Sequence, residues 1–291
     1  MTSFLLFNFG TFVETNRFKK RALDGALVGQ DLMDVFPPRA LLVPGGVRSH
    51  SAAGTTTISF LDLTLSTWKS SVGTGAAGKK FSEAFRGWMG DVVGGAPDVV
   101  YLAGHQSGQR MWWQEEDPNW VADFTDLGKV SFQEYNHATG TASEQVSVDA
   151  TPFRKQCKLV FGFGCNICAG GNLSHYQQYF QNGASKPVFL GWNGKILIPR
   201  SGWPSINNAF FDALDAHASA AGSGAPATDR IDWFYGSKQT DLISAWGVAV
   251  AAYRGHAQKR LWDNARAVAS DGQVFKFSFD EKTKTVVPIP E

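Results

Sequence analysis

Two apolar runs of the sequence lead into residues that can do nucleophilic chemistry. The run 98–103 is followed by His105, and the run 158–163 is followed by Cys165. A cysteine reacts as its thiolate, and a nearby histidine can take up the thiol proton and later protonate a leaving amine. The two residue types therefore suggest acyl transfer, in which Cys165 attacks a carbonyl carbon and His105 acts as acid and base.

The elements that must position this pair are predicted from the pattern of apolar residues. Short continuous apolar runs are typical of buried parallel strands, and they occur at 40–43, 98–103, 158–163 and 187–192. Apolar residues at helical spacing predict helices at 79–93, 173–181, 205–217 and 240–268, the last with a possible interruption at Gly255. Ser205 is the expected N-cap of the third helix. Strands that alternate with helices predict an α/β fold with a mostly parallel sheet covered on both faces.

In such a sheet the carboxyl ends of the strands border the crevice where ligands bind. If the strands 98–103 and 158–163 are neighbours, their ends are about 5 Å apart. The imidazole of His105 and the thiol of Cys165 would then face one crevice. The glycines around both residues would allow a substrate backbone to approach and would leave amide N–H groups for an oxyanion hole.

The order of these motifs resembles the caspase–legumain–gingipain–separase superfamily, which includes CHAT domains and metacaspases. The superfamily's histidine motif falls on Ala103-Gly104-His105, and its nucleophile motif falls on Phe163-Gly164-Cys165-Asn166. The likeness covers roughly residues 40–214. It implies a caspase-like three-layer α-β-α sandwich and a Cys–His dyad that hydrolyses peptide bonds in a peptide or protein substrate without a cofactor or metal.

The resemblance also implies which residues surround the dyad. Amide groups of Cys165 and of the loop after His105 would hold the oxyanion, and the strand that ends at Trp192 would border the substrate groove. The implied oxyanion and substrate-binding residues are Gln106, Ser107, Gly108, Gly164, Trp192 and Asn193. Gln106 departs from the family pattern, because family members usually have glycine directly after the histidine.

Two other functions stay open. The glutamine at position 106 is compatible with a relative that binds peptides or regulates a partner but lacks catalysis. The spacing of Cys165 and Cys168 is that of a C-x-x-C dithiol oxidoreductase, although such a motif normally stands directly at a helix N-terminus. A metal site is not expected, because the spacing of Cys157, Cys165, Cys168 and His175 matches no common zinc pattern.

Composition narrows the class of protein further. The chain has 291 residues, of which 43% are hydrophobic and 18% are charged, so a disordered chain is excluded. The net charge of +1 argues against a protein that binds nucleic acid through phosphates. The longest nearly apolar stretch, 242–252, is shorter than the roughly 20 residues that span a bilayer. The odd number of cysteines and the lack of a positive charge before Arg17 lead us to expect a cytoplasmic protein.

The domain organisation is expected to follow the composition of the segments. Residues 1–216 are predicted to form the catalytic α/β domain, with 109–150 as a turn-rich insertion of hairpin type over the active-site edge. The segment 217–228 is rich in Ala, Gly and Ser and is predicted as a linker. Residues 229–291 are predicted to form a C-terminal helical annex that packs on the same domain.

Overall fold

The computed structural model describes residues 2–8, 14, 17–18, 47–51, 57–62, 99–112, 119–136, 139–142, 145–151, 157–181, 186–197, 199–220 and 238–291. The predicted strand at 40–43 and the predicted helix at 79–93 lie outside these residues. The described strands are β1 Thr2–Asn8, β2 Val47–Ser51, β3 Thr57–Asp62, β4 Val99–Ala103, β5 His105–Ser107, β6 Arg110–Trp112, β7 Asn119–Asp123, β8 Lys129–Asn136, β9 Thr141–Ala142, β10 Val146–Asp149, β11 Leu159–Phe163, β12 Val188–Trp192, β13 Ala265–Val268, β14 Val274–Asp280 and β15 Thr285–Pro290. The described helices are α1 Gly170–Tyr179, α2 Ile206–Ala220, α3 Gln239–Ala251 and α4 Arg260–Asp263.

The chain has a mixed α/β fold around a mixed sheet. Nine described strands form this main sheet in the order β15-β14-β13-β12-β11-β4-β1-β3-β2. The four pairs from β3 to β12 are parallel, and the remaining four pairs at the two ends are antiparallel. The prediction of a mostly parallel sheet is therefore wrong for the sheet as a whole, because β2 at one end and β13, β14 and β15 at the other pair antiparallel.

Helices and strands cover the two faces of the centre of the sheet. Every residue of β4, β11 and β12 is buried, as the continuous apolar runs predicted. Alternate residues belong to two apolar clusters, as expected when side chains of a strand point to opposite faces. The first cluster includes Tyr101 and Phe161 and contains apolar residues of α2 and α3. The second includes Leu102 and Val160 and contains residues of α1 and of a second sheet.

The second sheet replaces the hairpin predicted for 109–150. Its strands lie in the order β10-β8-β7-β6-β5, with β9 paired to β8, and all of its pairs are antiparallel. Buried apolar residues of this sheet, such as Met111 and Ala122, pack in the second cluster. The sheet begins at His105 itself, so the segment is anchored directly at the end of β4.

The C-terminal part differs from the predicted helical annex. Helix α3 is present, but 265–290 forms the strands β13, β14 and β15, which extend the main sheet beyond β12. Ala265 fits the helical spacing of the preceding apolar residues, yet it is buried in β13, where it pairs with Trp192 of β12. Helix α2 continues to Ala220, so the predicted linker starts inside a helix.

Ser205 caps α2 as the sequence predicted. Its Oγ accepts a hydrogen bond from the backbone N–H of Asn208 at 3.1 Å, which is the N-cap pattern. None of the helices in the described ranges has the length and apolar character needed to cross a membrane.

Candidate active site

The register of two neighbouring strands brings the candidate dyad to matched positions. Strands β4 and β11 are parallel partners, and Ala103 pairs with Phe163 at the end of the ladder. The N–H of Gly104 donates to the carbonyl oxygen of Phe163 at 3.2 Å, so the two chains stay together for one more residue. His105 and Cys165 each follow two residues after that last pair. Their sequence positions are therefore equivalent on strands that lie about 5 Å apart.

His105 is the first residue of a short hairpin. It pairs with Trp112 across β5 and β6, and the two rings are stacked with centroids 6.5 Å apart. A two-residue turn at Gly108 and Gln109 joins these strands. Gly108 has a φ of +57°, which is typical of the first central position of a type II′ turn. The half-buried imidazole is thus carried on a regular strand instead of an open loop.

The hairpin also decides which amides after His105 can face a ligand. The two residues that flank the turn, Ser107 and Arg110, form a hydrogen-bonded pair. Hydrogen-bonded and non-hydrogen-bonded pairs alternate along an antiparallel ladder. The N–H of Ser107 therefore points to β6, and the N–H of Gln106 points away from it. Of these two implied oxyanion donors, Gln106 has the better-directed backbone N–H.

The side chain of Gln106 covers the residue before Cys165. It is 7% exposed, and its Nε2 donates to the carbonyl oxygen of Gly108 at 3.0 Å and to the Tyr176 hydroxyl at 3.5 Å. A Cβ on Gly164 would lie 2.5 Å from the Oε1 of Gln106, so a larger residue at position 164 would require the Gln106 side chain to move. That Oε1 is buried and has no hydrogen-bond partner within the described part of the chain. Gly164 therefore serves close packing between the two strand ends.

Cys165 is half-buried and lies against the segment that follows β12. Its Sγ is 3.6 Å from the carbonyl oxygen of Ile196, to which the thiol can donate, and the N–H of Ile196 donates to Sγ at 3.5 Å. The next residue, Asn166, donates its N–H to the carbonyl oxygen of Gly194 at 3.1 Å. The turn 165–168 and the segment 193–197 are consequently held together by one main-chain hydrogen bond and by the contacts of the Cys165 thiol.

An apolar anchor holds the turn from the other side. Ile167 is fully buried, and its side chain occupies the space where Gly162 and Gly191 have no Cβ. An ideal Cβ on either glycine would lie 2.5 Å from an Ile167 carbon. Cys168 donates its N–H to the carbonyl oxygen of Trp192 at 2.9 Å. The glycines inside β11 and β12 thus serve to seat the turn that follows Cys165.

The arrangement of the thiols disfavours a dithiol site. Cys165 packs against the first apolar cluster, whereas Cys168 belongs to the second, on the other face of the sheet. Burial raises the pKa of Cys168 to about 12, even though Arg266 acts to lower it. None of the three cysteines forms a disulfide, and Cys157 is buried in the second cluster as well. Cys165 is the most accessible thiol of the three.

Two of the predicted substrate-binding residues have structural contacts instead. Trp192 is completely buried, and its Nε1 donates to the carbonyl oxygen of Leu261 at 2.8 Å. The alternation of β12 directs this ring into the core, so the structure gives no support to the predicted contact of the indole with substrate. Asn193 donates its N–H to the carbonyl oxygen of Asn264 at 2.9 Å. When its side-chain amide is oriented to satisfy both ends, Oδ1 accepts from Arg266 at 2.9 Å, so Asn193 supports the segment 193–197.

The structure adds three residues that the sequence did not single out as part of the site. Gln109 in the hairpin turn donates to Asn172, and Asn172 donates to the carbonyl oxygen of Asn166 next to Cys165. The third residue, Ile196, donates its N–H to the Sγ of Cys165. Asn166 has a φ of +59°, an uncommon conformation outside glycine. An asparagine directly after a candidate nucleophile is a local signal for such a turn, whereas the Ile196 contact has no local signal. Within the described ranges, no cluster of three or more His, Cys, Asp or Glu side chains could hold a metal ion.

The chain shows no detectable sequence relatives in two comparisons: no family model matches it, and no curated protein matches it.

Proposed function

We propose that the chain is a caspase-like cysteine peptidase whose nucleophile is Cys165 and whose general acid and base is His105. The observation that carries the proposal is the register of β4 and β11, which gives these residues equivalent positions after neighbouring parallel strands. A second observation supports the proposal: Cys165 is half-buried, whereas Cys157 and Cys168 are buried. The thiol that the proposal needs is therefore the accessible one. The proposal includes the three-layer α-β-α arrangement of that superfamily.

The proposed reaction is acyl transfer through a thioester. His105 takes the proton of the Cys165 thiol, and Sγ forms a bond to the scissile carbonyl carbon. The carbon–nitrogen bond breaks as the imidazolium gives its proton to the leaving amine. Water then attacks the thioester, His105 accepts its proton, and the thiolate leaves.

The oxyanion of the tetrahedral intermediates needs preorganised donors. We assign this role to the backbone N–H groups of Gln106 and Cys165. Gln106 lies on the outer strand of the second sheet, and its N–H faces away from β6. Removal of one such donor typically costs 10²- to 10³-fold in kcat. The outward direction of this N–H supports catalysis despite the glutamine at position 106.

We also propose a cytoplasmic location and a peptide or protein as substrate. None of the three cysteines is in a disulfide, a state that reducing compartments maintain. The peptide substrate follows from the Cys–His chemistry and from the superfamily resemblance, and no nucleic acid or membrane partner is proposed.

The experiment that tests this function combines a peptide library with a peptidyl acyloxymethyl ketone. We expect the wild type to cleave library peptides and the ketone to label Cys165 alone, as read by mass spectrometry. Cys165→Ala and His105→Ala should each lower cleavage by about 10³-fold or more. Cys157→Ala is the matched control, because it removes a buried thiol and should leave cleavage unchanged.

The same experiment separates the alternatives. A wild type that binds peptides without cutting them, with Cys165→Ala binding equally well, would establish a non-catalytic peptide-binding protein. Thiol–disulfide exchange that disappears in Cys168→Ser would indicate a dithiol oxidoreductase. Labelling of Cys157 in place of Cys165 would overturn the assignment of the nucleophile.

A further inference from the structure

We propose that Asn172 is a positioning residue that ties the hairpin carrying His105 to the turn carrying Cys165. The inference rests on the proposed function in treating these two residues as the reacting pair. Asn172 lies in the first turn of α1. Its side-chain amide makes no hydrogen bond to His105 or to Cys165. It acts through Gln109 and Asn166.

The amide of Asn172 makes one hydrogen bond at each end. Its Nδ2 donates to the carbonyl oxygen of Asn166 at 3.1 Å. Its Oδ1 accepts from the Nε2 of Gln109, also at 3.1 Å. A carbonyl oxygen can only accept, so Nδ2 must face Asn166 and Oδ1 is left for Gln109. The link needs a donor and an acceptor on one short side chain, which an asparagine provides.

The first of these bonds holds a residue in an uncommon conformation. Asn166 has a φ of +59°, in the left-handed region that residues other than glycine adopt less readily. Such a conformation persists only when surrounding contacts hold it. The carbonyl oxygen of Asn166 accepts from Asn172 and from the N–H of Ala169 at 3.0 Å, and its N–H donates to Gly194 at 3.1 Å. Asn172 supplies the one side-chain bond among these contacts.

The second bond reaches the histidine. Gln109 is the second residue of the turn between β5 and β6, and His105 is the first residue of β5. The hairpin is short, so fixing its turn restricts the direction in which β5 leaves the main sheet. A displacement of about 1 Å between reacting groups can cost on the order of 10² in rate. The link through Asn172 therefore controls the relative placement of the imidazole and the thiol.

The test compares four variants of the full chain: Asn172→Ala, Asn172→Asp, Gln109→Ala and Ser174→Ala. The aspartate keeps the acceptor for Gln109 and loses the donor to Asn166. Ser174→Ala is the matched control, because Ser174 donates to the carbonyl oxygen of Gly171 at 3.1 Å within the same helix and contacts neither turn. We expect kcat to fall about 10- to 100-fold in both Asn172 variants with KM within about twofold. The urea midpoint should match that of the control.

Hydrogen exchange gives a readout that does not depend on catalysis. Loss of the link should raise amide exchange of the segment 164–169 about tenfold or more, with exchange of α1 unchanged. A merely structural role of Asn172 in its helix would instead raise exchange of α1. Because Gln109 and Asn172 act through one bond, the effects of Gln109→Ala and Asn172→Ala should not add in the double variant.

A suppressor variant sharpens the test. Glycine adopts a positive φ without steric cost, so Asn166→Gly should restore much of the activity that Asn172→Ala loses. If Asn172→Ala behaves like Ser174→Ala in exchange and in kcat, the positioning role is wrong. If the wild type cuts no peptide but exchange of 164–169 still rises in the Asn172 variants, the link stands and the peptidase proposal fails.

Discussion

The thiol of Cys165 contacts both polar main-chain groups of Ile196. The N–H of Ile196 donates to Sγ at 3.5 Å, and the carbonyl oxygen lies 3.6 Å from Sγ as an acceptor. The segment that follows β12 is thus in direct contact with the proposed nucleophile. A substrate carbonyl that bonds to Sγ has to replace at least one of these contacts.

Chemical modification of the thiol should therefore loosen the segment. Alkylation of Cys165 with iodoacetamide removes the S–H donor and adds bulk beside Ile196. We expect amide exchange of 193–197 to rise about tenfold, measured by mass spectrometry after stoichiometric labelling. Cys165→Ala treated with the same reagent is the control and should show no reagent-dependent change. Unaltered exchange in the fully labelled protein would contradict the proposed coupling.

The packing of Ile167 against Gly162 predicts a compensating pair of substitutions. Gly162→Ala places a Cβ 2.5 Å from Ile167 and should destabilise the protein by about 1–3 kcal/mol through overpacking. Ile167→Ala should cost about 2–5 kcal/mol through the cavity it leaves. The double variant should lose less than the two costs together, because the smaller side chain makes room for the new methyl group.

Urea unfolding measures these three stabilities. Gly171→Ala is a matched control, since no atom lies within 4 Å of its ideal Cβ and it stands in the first turn of α1. That substitution should be neutral or stabilising. Strict additivity of Gly162→Ala and Ile167→Ala would show that Ile167 does not occupy the space above Gly162.

The strands that carry the site could be predicted because they are buried on both faces. Continuous apolar sequence marks β4, β11 and β12, and the structure buries every residue of all three. The position of His105 and Cys165 just after two of these strands follows from the same pattern. Which strands are neighbours depends on pairing across about 60 residues, a distance over which local sequence carries no signal. The sequence could only state adjacency as a condition.

The contacts around the dyad were less predictable because they are long-range or depend on backbone geometry. Ile196 meets Cys165 through main-chain atoms, which any residue type would offer. Trp192 was expected at the groove, yet alternation along β12 directs its side chain into the core. The sequence predicted only a hairpin where the second sheet lies. Apolar and polar residues alternate only weakly along its polar and aromatic strands, so the number of strands could not be predicted.

The sequence of the C-terminal strands contains a strand pattern, but the helical spacing of the residues before it led to the prediction of a helical annex. Phe275, Phe277 and Phe279 alternate with polar residues, a period-two pattern that predicts a half-buried strand. The turn at 281–284 then separates β14 from β15. Alanine-rich sequence before them suited a helix, and tertiary pairing with β12 overrode that preference.

The burial of Trp192 predicts a stability effect without an effect on substrate binding. Trp192→Phe removes the donor to the carbonyl oxygen of Leu261 and should cost about 1–3 kcal/mol in the free energy of unfolding. KM for a cleaved peptide should stay within about twofold, since the indole is completely buried. Chemical denaturation and steady-state kinetics measure the two quantities. A large rise in KM at unchanged stability would restore Trp192 as a substrate contact.

The buried thiol of Cys168 predicts a loss of stability at alkaline pH. Burial raises its pKa from 9.0 to about 12 in the folded protein. Between these values the unfolded chain releases the proton and the folded chain keeps it, so the free energy of unfolding falls as pH rises. Below pH 9 both states are protonated, and this contribution is fully present. Urea unfolding between pH 8 and 11 should show a shallower decline for Cys168→Ala than for the wild type, and parallel declines would contradict the assignment.

The N-terminus of α2 predicts a large effect of a buried carboxylate. Glu14 is fully buried and accepts from the N–H of Asn207 at 2.9 Å, the Oγ of Ser205 at 3.4 Å and Arg17 at 2.6 Å. Negative charge is favourable at this end of a helix. Glu14→Gln keeps the shape but removes the charge, which should lower the free energy of unfolding by about 1–3 kcal/mol.

An exposed glutamate provides the matched control for this substitution. Glu281 pairs with Arg254 and Lys284 at the surface, where solvent weakens ion pairs. Glu281→Gln should therefore leave the urea midpoint close to that of the wild type, while Glu14→Gln moves it clearly downward. Equal midpoints for the two variants would mean that the carboxylate of Glu14 does not stabilise the start of α2.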